Sequence, residues 1–469
     1  MTSFRSAAIA LAVLAFSATQ AFAQQPAGWA AFRAMFREMV ETDTSFMSGD
    51  CTKLAEKVAA RMQAAGFPKE NLHLFVPPDD ARAGGLVAVY PGTDPSAKAV
   101  LMLGHIDVVN AKREDWERDP YVLVEENGQF FGRGVSDMKA QDAIWADTMI
   151  RFHQEGYRPK RTVKMALTCG EEGGGFVNGA GWLAQNRREL IDAGLALTEG
   201  GGGDLDSAGR KLAVTVMMAE KSGASFVLET RNPGGHSSRP RRDNAIYALA
   251  KAIERLEGLE FPVQFNAANR AYLVGMAPVV APDYGAAMRA LLANPADAAA
   301  TAVLKREPAY RAMLGTTCIP VLLEAGHAAN AQPQRARATV NCRTLPGAPL
   351  AEVKAAIEGA IADPQVAVLG RTEAPPRASA PPLTPEFMAP IRKVAAEVYP
   401  GLPVVAMQET FGTDSGRLIA VGIPTYGVSG LFRGLDGGNI HGLNEHIGVQ
   451  AVMEGREFLY RLIKAYAEQ

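Results

Sequence analysis

The sequence has no charge excess of either sign. Its 48 Lys and Arg residues nearly balance 50 Asp and Glu residues, and the formal net charge is -2, with no basic block. Neither a nucleic acid nor an anionic membrane surface is therefore indicated as a partner. No repeat of solenoid length is visible. With 48% apolar and 21% charged residues the composition is that of a soluble globular protein, and 469 residues predict two domains.

The N-terminus holds a short apolar run. Arg5 precedes AAIALAVLAF, and Ala21-Phe22-Ala23 follows it. A basic start, a short apolar core and an A-x-A site are typical of a secretory signal peptide, which we expect to span residues 1–23 and to be cut after Ala23. The alternative is an N-terminal anchor, but the run is well short of the roughly 20 residues that a membrane span needs. The sequence thus predicts a periplasmic or secreted protein without a stable membrane span.

Cysteine is scarce, with four residues at positions 51, 169, 318 and 342. An oxidising compartment permits disulfides. Cys318 and Cys342 lie in two strand-like runs joined by a polar turn, and antiparallel pairing would place their sulfurs face to face. A bridge and two buried thiols both remain open. Cys169 is close to Glu171 but has no histidine beside it in sequence, so we expect a buried thiol at a strand end and not a nucleophile.

Strand and helix patterns alternate along residues 24–220. Short apolar runs such as GGLVAVYPG and AVLMLGHIDVV are typical of strands buried on both faces. Segments of helical periodicity, such as residues 52–66 and 139–156, separate strand patterns. This alternation predicts an α/β fold in which a mostly parallel sheet has helices on both faces.

The pattern changes after about Lys221. A strand, a helix, two strands, a helix and a strand follow up to residue 371, in the order of a ferredoxin-like α+β sandwich. An Ala- and Pro-rich insertion, residues 260–315, follows its first helix and is expected to be helical. Residues 372–469 then return to the larger domain. The inserted domain is thus predicted at 221–371, with hinge candidates near both of its ends.

Carboxylates and histidines follow the apolar runs where buried strands should end. An α/β fold places its chemistry there, in the crevice beyond the carboxyl ends of the strands. Nitrogen and oxygen ligands of this kind hold zinc-type ions, and two ions with a glutamate base activate water. The candidates are His105 and Asp107 in GHIDVV, Asp137 in FGRGVSDMKA, Glu171 and Glu172 in CGEEGG, Glu199 in LTEGGG and His441 in NIHGLNE.

Each motif also has an ordinary explanation when taken alone. An H-x-D sequence arises by chance, Asp137 suits the N-cap of a helix beginning near Lys139, and a Glu-Glu pair suits a solvated turn. Paired glutamates repel each other without a cation, however, and neighbours on a strand point to opposite sides, so one can ligate while the other takes a proton. His105 and Asp107 share a face, so one can ligate while the other orients it. Together these motifs favour a two-metal hydrolase.

These motifs, with RNPGGHSSRP, ATVNCRTLPG and GTDSGR, resemble those of the di-zinc metallopeptidases that include acetylornithine deacetylase, succinyl-diaminopimelate desuccinylase, aminoacylase and carboxypeptidase S. The similarity runs from about Met35 to Lys464 and is closest to the carboxypeptidase S and N-acyl-amino-acid hydrolase branch. It implies the di-zinc exopeptidase fold with an inserted lid and dimerisation domain. It also implies a metallo-exopeptidase that cuts an amide bond beside a free amino-acid carboxylate. Zinc is the metal of the family, although cobalt and manganese also suit so many carboxylates.

The resemblance implies roles for single residues. Glu171 corresponds to the general base, and Asp107 to the carboxylate that orients the first histidine. The peptide bond after the bridging aspartate is cis in relatives, so Asp137–Met138 is expected to be cis. The implied ligand sets are His105, Asp137 and Glu199 for one ion, and Asp137, Glu172 and His441 for the other.

Four further residues match substrate-facing motifs. His236 resembles the lid histidine that steadies the oxyanion and comes from the partner subunit of a homodimer; alternatively it is a plain loop residue. Arg343 matches the arginine that grips the substrate carboxylate, although a salt-bridged strand residue is the alternative. Thr413 and Asp414 match a substrate-loop motif.

The chain departs from the family at Met138, which replaces an acidic residue, at the extra Gly416 before Arg417, and at Cys342. None of these changes removes a ligand or the base. We expect an exported enzyme that acts on a small peptide or N-acyl amino acid when the lid closes. The alternatives are a non-catalytic exported binding protein on the same frame, which would need no base, and a metal-dependent esterase.

Overall fold

The computed structural model describes residues 26–173, 175–373 and 381–469. The expected signal peptide, residues 1–23, lies outside the described residues. Among the helices of the described ranges, none combines the length and the apolar character that a membrane span requires.

The described ranges contain fourteen α-helices and nineteen β-strands. The helices are α1 Trp29–Glu41, α2 Cys51–Ala64, α3 Lys139–Gln154, α4 Gly179–Asn186, α5 Arg188–Ile191, α6 Ala245–Glu257, α7 Ala267–Met276, α8 Pro282–Ala293, α9 Ala298–Leu304, α10 Pro308–Met313, α11 Leu350–Ile361, α12 Pro385–Val398, α13 Ser415–Ala420 and α14 Val449–Ala467. The strands are β1 Leu72–Phe75, β2 Gly85–Tyr90, β3 Val100–His105, β4 Val124–Glu126, β5 Gln129–Phe131, β6 Val163–Thr168, β7 Leu195–Thr198, β8 Gly202–Leu205, β9 Lys211–Glu220, β10 Ser222–Arg231, β11 Gly235–His236, β12 Thr317–Ala325, β13 Ala331–Gln332, β14 Arg335–Thr344, β15 Val366–Gly370, β16 Val404–Glu409, β17 Thr425–Gly427, β18 Phe432–Arg433 and β19 His446–Gly448.

Ten of these strands form the central sheet of the larger domain. Nine follow the order β1-β2-β6-β3-β7-β17-β9-β8-β18, and β16 pairs with β9 beside this path. The pairs β3–β6, β3–β7, β7–β17, β8–β18 and β9–β16 are parallel, whereas β1–β2, β2–β6, β8–β9 and β9–β17 are antiparallel. The predicted α/β fold with a mostly parallel sheet is confirmed, although β2, the run GGLVAVYPG, joins it in the antiparallel direction.

Helices cover both faces of this sheet because its strands are apolar on both sides. Met102 of β3 is fully buried in a core shared with α1, α2, α3, α12 and α14. Its neighbour Leu101 is fully buried in a separate core shared with α4, α5 and α13. Alternate side chains of a strand point to opposite faces, so a continuous apolar run is what two layers of helices require.

The inserted domain has the predicted ferredoxin-like order. Its strands pair antiparallel as β12-β14-β10-β15. Helices α6 and α11 share a core with this sheet, in which Phe226 and Ile357 are fully buried. Strand β9 ends at Glu220 in the large sheet and β10 begins at Ser222 in the small one. The chain therefore passes between the two sheets at Lys221.

The insertion, residues 260–315, contains helices α7 to α10 and packs against the larger domain. Its core includes Ala213 of β9 and Val405 of β16. Gly275 of α7 approaches β16 so closely that a Cβ there would stand 2.6 Å from Val405 Cγ1. Tyr272 of α7 donates a hydrogen bond to Asp204 Oδ2 of β8 at 3.0 Å. The segment lies within the inserted domain in sequence, but in the structure it packs on the larger domain.

All four cysteines form disulfides. Cys318 and Cys342 face each other in the register of β12 and β14 and are bonded, which decides between the two alternatives. The prediction of a buried thiol at Cys169 is wrong, because this residue is bonded to Cys51. Cys51 begins α2, which packs on β2, the neighbour of β6. The packing of α2 on the sheet thus brings together two cysteines that are 118 positions apart in the sequence.

Candidate active site

Three neighbouring strands at the centre of the large sheet carry most of the candidate residues. β3 ends at His105, β6 ends before the turn with Glu171 and Glu172, and β7 ends directly before Glu199. Because β6, β3 and β7 are parallel neighbours, their carboxyl ends lie at one edge of the sheet. The strand ends therefore bring these side chains to one place.

Two loops supply the remaining residues. Asp137 lies before α3, and its peptide bond to Met138 is cis, as expected. Met138 occupies the N-cap of that helix, so the alternative role of Asp137 as a helix cap is not observed. His441 lies between β18 and β19 with a φ of 65°. The structure brings all five predicted ligands together.

Asp137 lies between the two histidines. Its Oδ1 is 3.2 Å from His105 Nε2, and its Oδ2 is 3.2 Å from His441 Nε2. Glu199 Oε1 lies 3.7 Å from His105 Nε2, and Glu172 Oε2 lies 2.9 Å from His441 Nε2. Two groups thus share Asp137, and within each group the ligand atoms all lie within 4.8 Å of one another. Two cations bridged by one carboxylate need this arrangement.

The donor set fits divalent metal ions. His105 is only 2% exposed, yet its Nε2 makes no hydrogen bond. A buried polar atom without a hydrogen bond is costly, and a metal ion satisfies an imidazole nitrogen. Six acidic residues also line one cavity, and such crowding requires nearby positive charge. They are Asp137, Glu171, Glu172, Glu199, Asp204 and Glu409.

The charges of the site perturb one another strongly. Burial raises the pKa of Glu199 to about 7. Burial, reinforced by the charge of Glu199, raises the pKa of Glu171 well above its ordinary value. Burial also opposes the charged form of Asp137, but the adjacent imidazoles of His105 and His441 outweigh it and hold the pKa of this carboxyl very low. Burial lowers the pKa of His441, whereas contacts with Asp137 and Glu172 outweigh it and raise the value to about 10.

Asp107 is buried behind His105 and contacts both the ring and the glutamate turn. Its Oδ1 lies 3.6 Å from His105 Nδ1. Its carboxylate accepts hydrogen bonds from the backbone N–H groups of Glu171 (3.4 Å) and Glu172 (3.1 Å). His105 Nδ1 is also 3.1 Å from the backbone oxygen of Asp107. Because these contacts engage Nδ1, Nε2 is the nitrogen that faces Asp137.

Of the two glutamates in the turn after β6, Glu172 belongs to a ligand group and Glu171 does not. Glu171 lines the cavity but belongs to neither group. A carboxylate beside a metal pair that does not bind the metal is free to transfer protons.

Comparison with known proteins identifies the family. Residues 101–465 match the family model of peptidase family M20/M25/M40. The chain belongs to this family. It is therefore a hydrolase of the metallopeptidase and amidohydrolase type, which acts on amide bonds.

Relatives and solved structures agree with this assignment. Human N-fatty-acyl-amino acid synthase/hydrolase PM20D1 is 28% identical over 387 residues, which cover 80% of this chain and 75% of that protein. The probable carboxypeptidase S-like 2 of Dictyostelium discoideum is 25% identical over 416 residues, or 85% of this chain and 77% of that protein. The M20 family metallo-carboxypeptidase Sso-CP2 from Sulfolobus solfataricus has the same fold, with a TM-score of 0.67 at 19% identity over 93% of this chain and 99% of that one. The resemblance inferred from the motifs is confirmed.

A cavity of about 600 Å³ opens beside the ligand groups of this M20 enzyme. Arg343 of the inserted domain lines it, at the end of β14. The large side chains of the insertion that line it are Tyr272, Tyr310 and Met313, and sequence reasoning missed them. The only signal for them was the presence of large side chains in a segment rich in small ones.

Three predicted substrate residues do not line this cavity. His236 is exposed on the short strand β11. Thr413 donates hydrogen bonds to Glu220 Oε2 through its N–H (2.8 Å) and its hydroxyl (2.9 Å). Asp414 is buried and accepts a hydrogen bond from Asn178 Nδ2 at 2.7 Å. From the same loop, the residues that line the cavity are Thr410, Phe411 and Gly412.

Proposed function

We propose that this M20 enzyme is an exported hydrolase that cleaves the amide bond between an acyl group and an amino acid with a free carboxylate. The observation that carries the proposal is the position of Asp137, whose two oxygens each lie 3.2 Å from a different histidine. Glu171 and Arg343 line the same cavity. The two groups would hold two divalent metal ions, with zinc as the first candidate.

The chemistry follows from the different roles of the carboxylates in the site. When bound, the two ions would polarise the scissile carbonyl and acidify the attacking water. Glu171 takes a proton from that water and delivers it to the nitrogen of the leaving amine. Its place in the cavity but outside both ligand groups suits this role. Asp107 contacts both the ring of His105 and the backbone N–H of Glu171, and so fixes their positions relative to each other.

Arg343 would bind the carboxylate of the substrate. A guanidinium binds a carboxylate through two parallel hydrogen bonds, and this side chain lines the cavity. Arg343 belongs to the inserted domain, whereas the five metal ligands belong to the larger one. A substrate that contacts both would draw the two domains together over the site.

The acyl group would lie against the insertion. Tyr272, Tyr310 and Met313 line the cavity and are only 5%, 4% and 4% exposed. Two aromatic rings and a thioether form a wall that suits an apolar chain. The human relative is named for N-fatty-acyl amino acids. This name supports an N-acyl amino acid rather than a peptide as the substrate class here.

His236 would act in the cavity of a second subunit. The edge strand β12 of the inserted domain carries exposed apolar side chains, with Ile319, Leu322 and Leu323 exposed by 61%, 64% and 67%. An exposed apolar edge strand pairs readily with another strand. Two copies joined along β12 would form a homodimer through their inserted domains. His236 of each subunit would then steady the oxyanion in the cavity of the other.

Export is supported by two features. Residues 1–23 have the pattern of a signal peptide. The two disulfides are of the kind that persists in an oxidising compartment. We infer a periplasmic or secreted enzyme.

The test of the substrate class is a panel of N-acyl amino acids, their carboxyl methyl esters, dipeptides and ester analogues, assayed with the Zn²⁺-loaded protein. We expect amino-acid release from N-acyl amino acids with a free carboxylate, and loss of release after chelation. Arg343→Met should abolish the preference for the free carboxylate. Arg337→Met, on the same strand but paired with Glu229, is the matched control. Release from dipeptides alone or from ester analogues alone would contradict the proposed substrate.

The homodimer is tested by mixing two inactive variants, Glu171→Gln and His236→Gln. In a mixed dimer with exchanged histidines, one site has an intact Glu171 and receives an intact His236 from the other subunit. We therefore expect the refolded or co-expressed mixture to regain activity. A mixture that stays inactive although mixed dimers form would contradict exchange of His236.

A further inference from the structure

The carboxylate of Glu445 forms hydrogen bonds with the loop that carries Asp137. Glu445 is fully buried and accepts four hydrogen bonds from this loop. Its Oε1 accepts the backbone N–H groups of Ser136 (2.8 Å) and Asp137 (3.0 Å). Its Oε2 accepts the backbone N–H of Gly134 (2.9 Å) and the Nη1–H of Arg133 (2.8 Å). One side chain therefore fixes the backbone on which a metal ligand stands.

Arg133 extends this connection to the loop of His441. Its Nη2 donates hydrogen bonds to the backbone oxygens of His441 (3.3 Å) and Gly442 (3.0 Å). The guanidinium also lies 5.0 Å from the ring centre of Trp116, and the side chain is 3% exposed. Arg133 thus contacts both loops at once, although the loops are about 300 positions apart.

The loop of His441 needs such support. Asn439, His441 and Asn444 have φ angles of 51°, 65° and 53°. Residues with a Cβ rarely adopt this left-handed region, and they keep it only where the surrounding structure enforces it. The hydrogen bonds from Arg133 to the backbone oxygens of His441 and Gly442 hold His441 in this conformation.

We propose that Arg133 and Glu445 are positioning residues that hold Asp137 and His441 at the separation required by the second ligand group, Asp137–Glu172–His441. The proposal rests on the two-metal site described above. It goes beyond that site because neither residue contacts the cavity or belongs to a ligand group. His105 and Glu199 receive no hydrogen bond from this pair.

The residue types match this role. A carboxylate offers two oxygens that both accept, so Glu445 can serve four donors, whereas the amide of glutamine would set an NH₂ group against N–H groups. A guanidinium offers donors in a fixed fork and reaches three acceptors at Arg133, whereas an ammonium acts as a point charge. Glu445→Gln and Arg133→Lys roughly conserve side-chain length, and each should weaken the connection between the two loops.

The experiment uses the full mature chain and Zn²⁺ alone as the probe. Zinc stoichiometry and the two stepwise affinities are measured by competition with a chromophoric chelator for the variants Glu445→Gln, Arg133→Met and Arg133→Lys. We expect the ion of the Asp137–Glu172–His441 group to lose about 10–100-fold in affinity in Glu445→Gln and Arg133→Met, with a smaller loss in Arg133→Lys. The ion of the His105–Asp137–Glu199 group should change much less.

Arg456→Met is the matched control. Arg456 and Asp147 form another buried ion pair, with contacts of 2.8 and 3.1 Å, between α14 and α3. This variant should lower the melting temperature without changing either zinc affinity.

Two results would overturn the proposal. One is unchanged affinity for both ions in folded Arg133→Met and Glu445→Gln. The other is an equal loss of affinity in Arg456→Met, which would show a general effect of stability. If Arg133→Met and Glu445→Gln do not fold, the zinc affinities of Arg133→Lys provide the test. Unchanged affinity for both ions in this variant would then overturn the proposal. A wild-type chain that binds fewer than two zinc ions would instead contradict the two-metal site on which the proposal rests.

Discussion

The Asp107 carboxylate accepts a hydrogen bond from the backbone N–H of Glu172 at 3.1 Å. The same carboxylate lies 3.6 Å from His105 Nδ1. One buried side chain therefore couples the ends of β3 and β6, and with them one ligand from each of the two groups. A change at this position should disturb both ligand groups at once.

Asp107→Asn should weaken metal binding by about 10–100-fold, because the amide sets a donor against the N–H groups that the carboxylate accepts. Both stepwise zinc affinities should fall, in contrast to the selective loss expected for Arg133 and Glu445. The measurement is chelator competition, and Asp115→Asn, an exposed residue of a neighbouring loop, is the control. An unchanged affinity in a folded Asp107→Asn protein would show that this carboxylate does not orient His105.

Glu171→Gln should reduce kcat by about 10²–10⁴-fold and leave the zinc content at the wild-type level, because Glu171 belongs to neither ligand group. Glu172→Gln, its neighbour, should instead lose zinc. Elemental analysis and steady-state kinetics on the two variants separate a base from a ligand. If Glu171→Gln loses zinc and Glu172→Gln keeps it, the assignment of the two glutamates is reversed.

The ligand positions were predictable from the sequence because the apolar runs of β3, β6 and β7 end at the ligands. Parallel strands place their carboxyl ends together, so the pattern that reveals the strands also reveals the site. The loop residue His441 was less accessible to such reasoning. The sequence pattern placed it at a strand end with the other candidates, but it lies in the loop between β18 and β19, and its place in one ligand set with Asp137 came from the family resemblance.

Several features depend on packing that no local pattern contains. The bond between Cys51 and Cys169 requires α2 to lie over β2 beside β6, which neither cysteine indicates. Residues 260–315 lie within the inserted domain in sequence but pack on β9 and β16, because their apolar faces match that edge of the large sheet. The positioning role of Arg133 and Glu445 could not be predicted, because it depends on contact between two loops that are distant in sequence.

Glu409 makes stability depend on pH. Burial raises its pKa from 4.5 to about 7, against the opposing hydrogen bond from the Gly201 N–H. Between these values the folded protein keeps a proton that the unfolded chain has released, so the stability falls as the pH rises from about 5 to 7. The shift corresponds to about 3 kcal/mol.

Glu409→Gln keeps an acceptor for Gly201 but does not titrate. Relative to wild type, its free energy of unfolding should increase by up to about 3 kcal/mol between pH 5 and pH 8. Urea unfolding at the two pH values measures this difference, and contributions from the other titrating groups cancel in it. A difference between variant and wild type that is the same at both pH values would contradict the raised pKa.

The Cys51–Cys169 disulfide should contribute more to stability than the Cys318–Cys342 disulfide. The two bonds span 118 and 24 positions. Because a longer loop loses more entropy on closure, removal of the first bond by paired alanine substitutions should cost about 5 kcal/mol and removal of the second about 3 kcal/mol. Denaturant unfolding of the two paired variants gives the comparison. A larger loss from the Cys318–Cys342 pair would contradict this order.

A zinc titration of the chelator-treated enzyme, followed by amino-acid release from an N-acyl amino acid, tests the two-metal amidohydrolase most directly. We expect activity to be absent at the start and to reach its plateau at two zinc equivalents per chain, and His105→Ala and His441→Ala to bind one equivalent each. Full activity without added metal, or a plateau at one equivalent in the wild-type protein, would contradict a catalytic centre built on the shared carboxylate of Asp137.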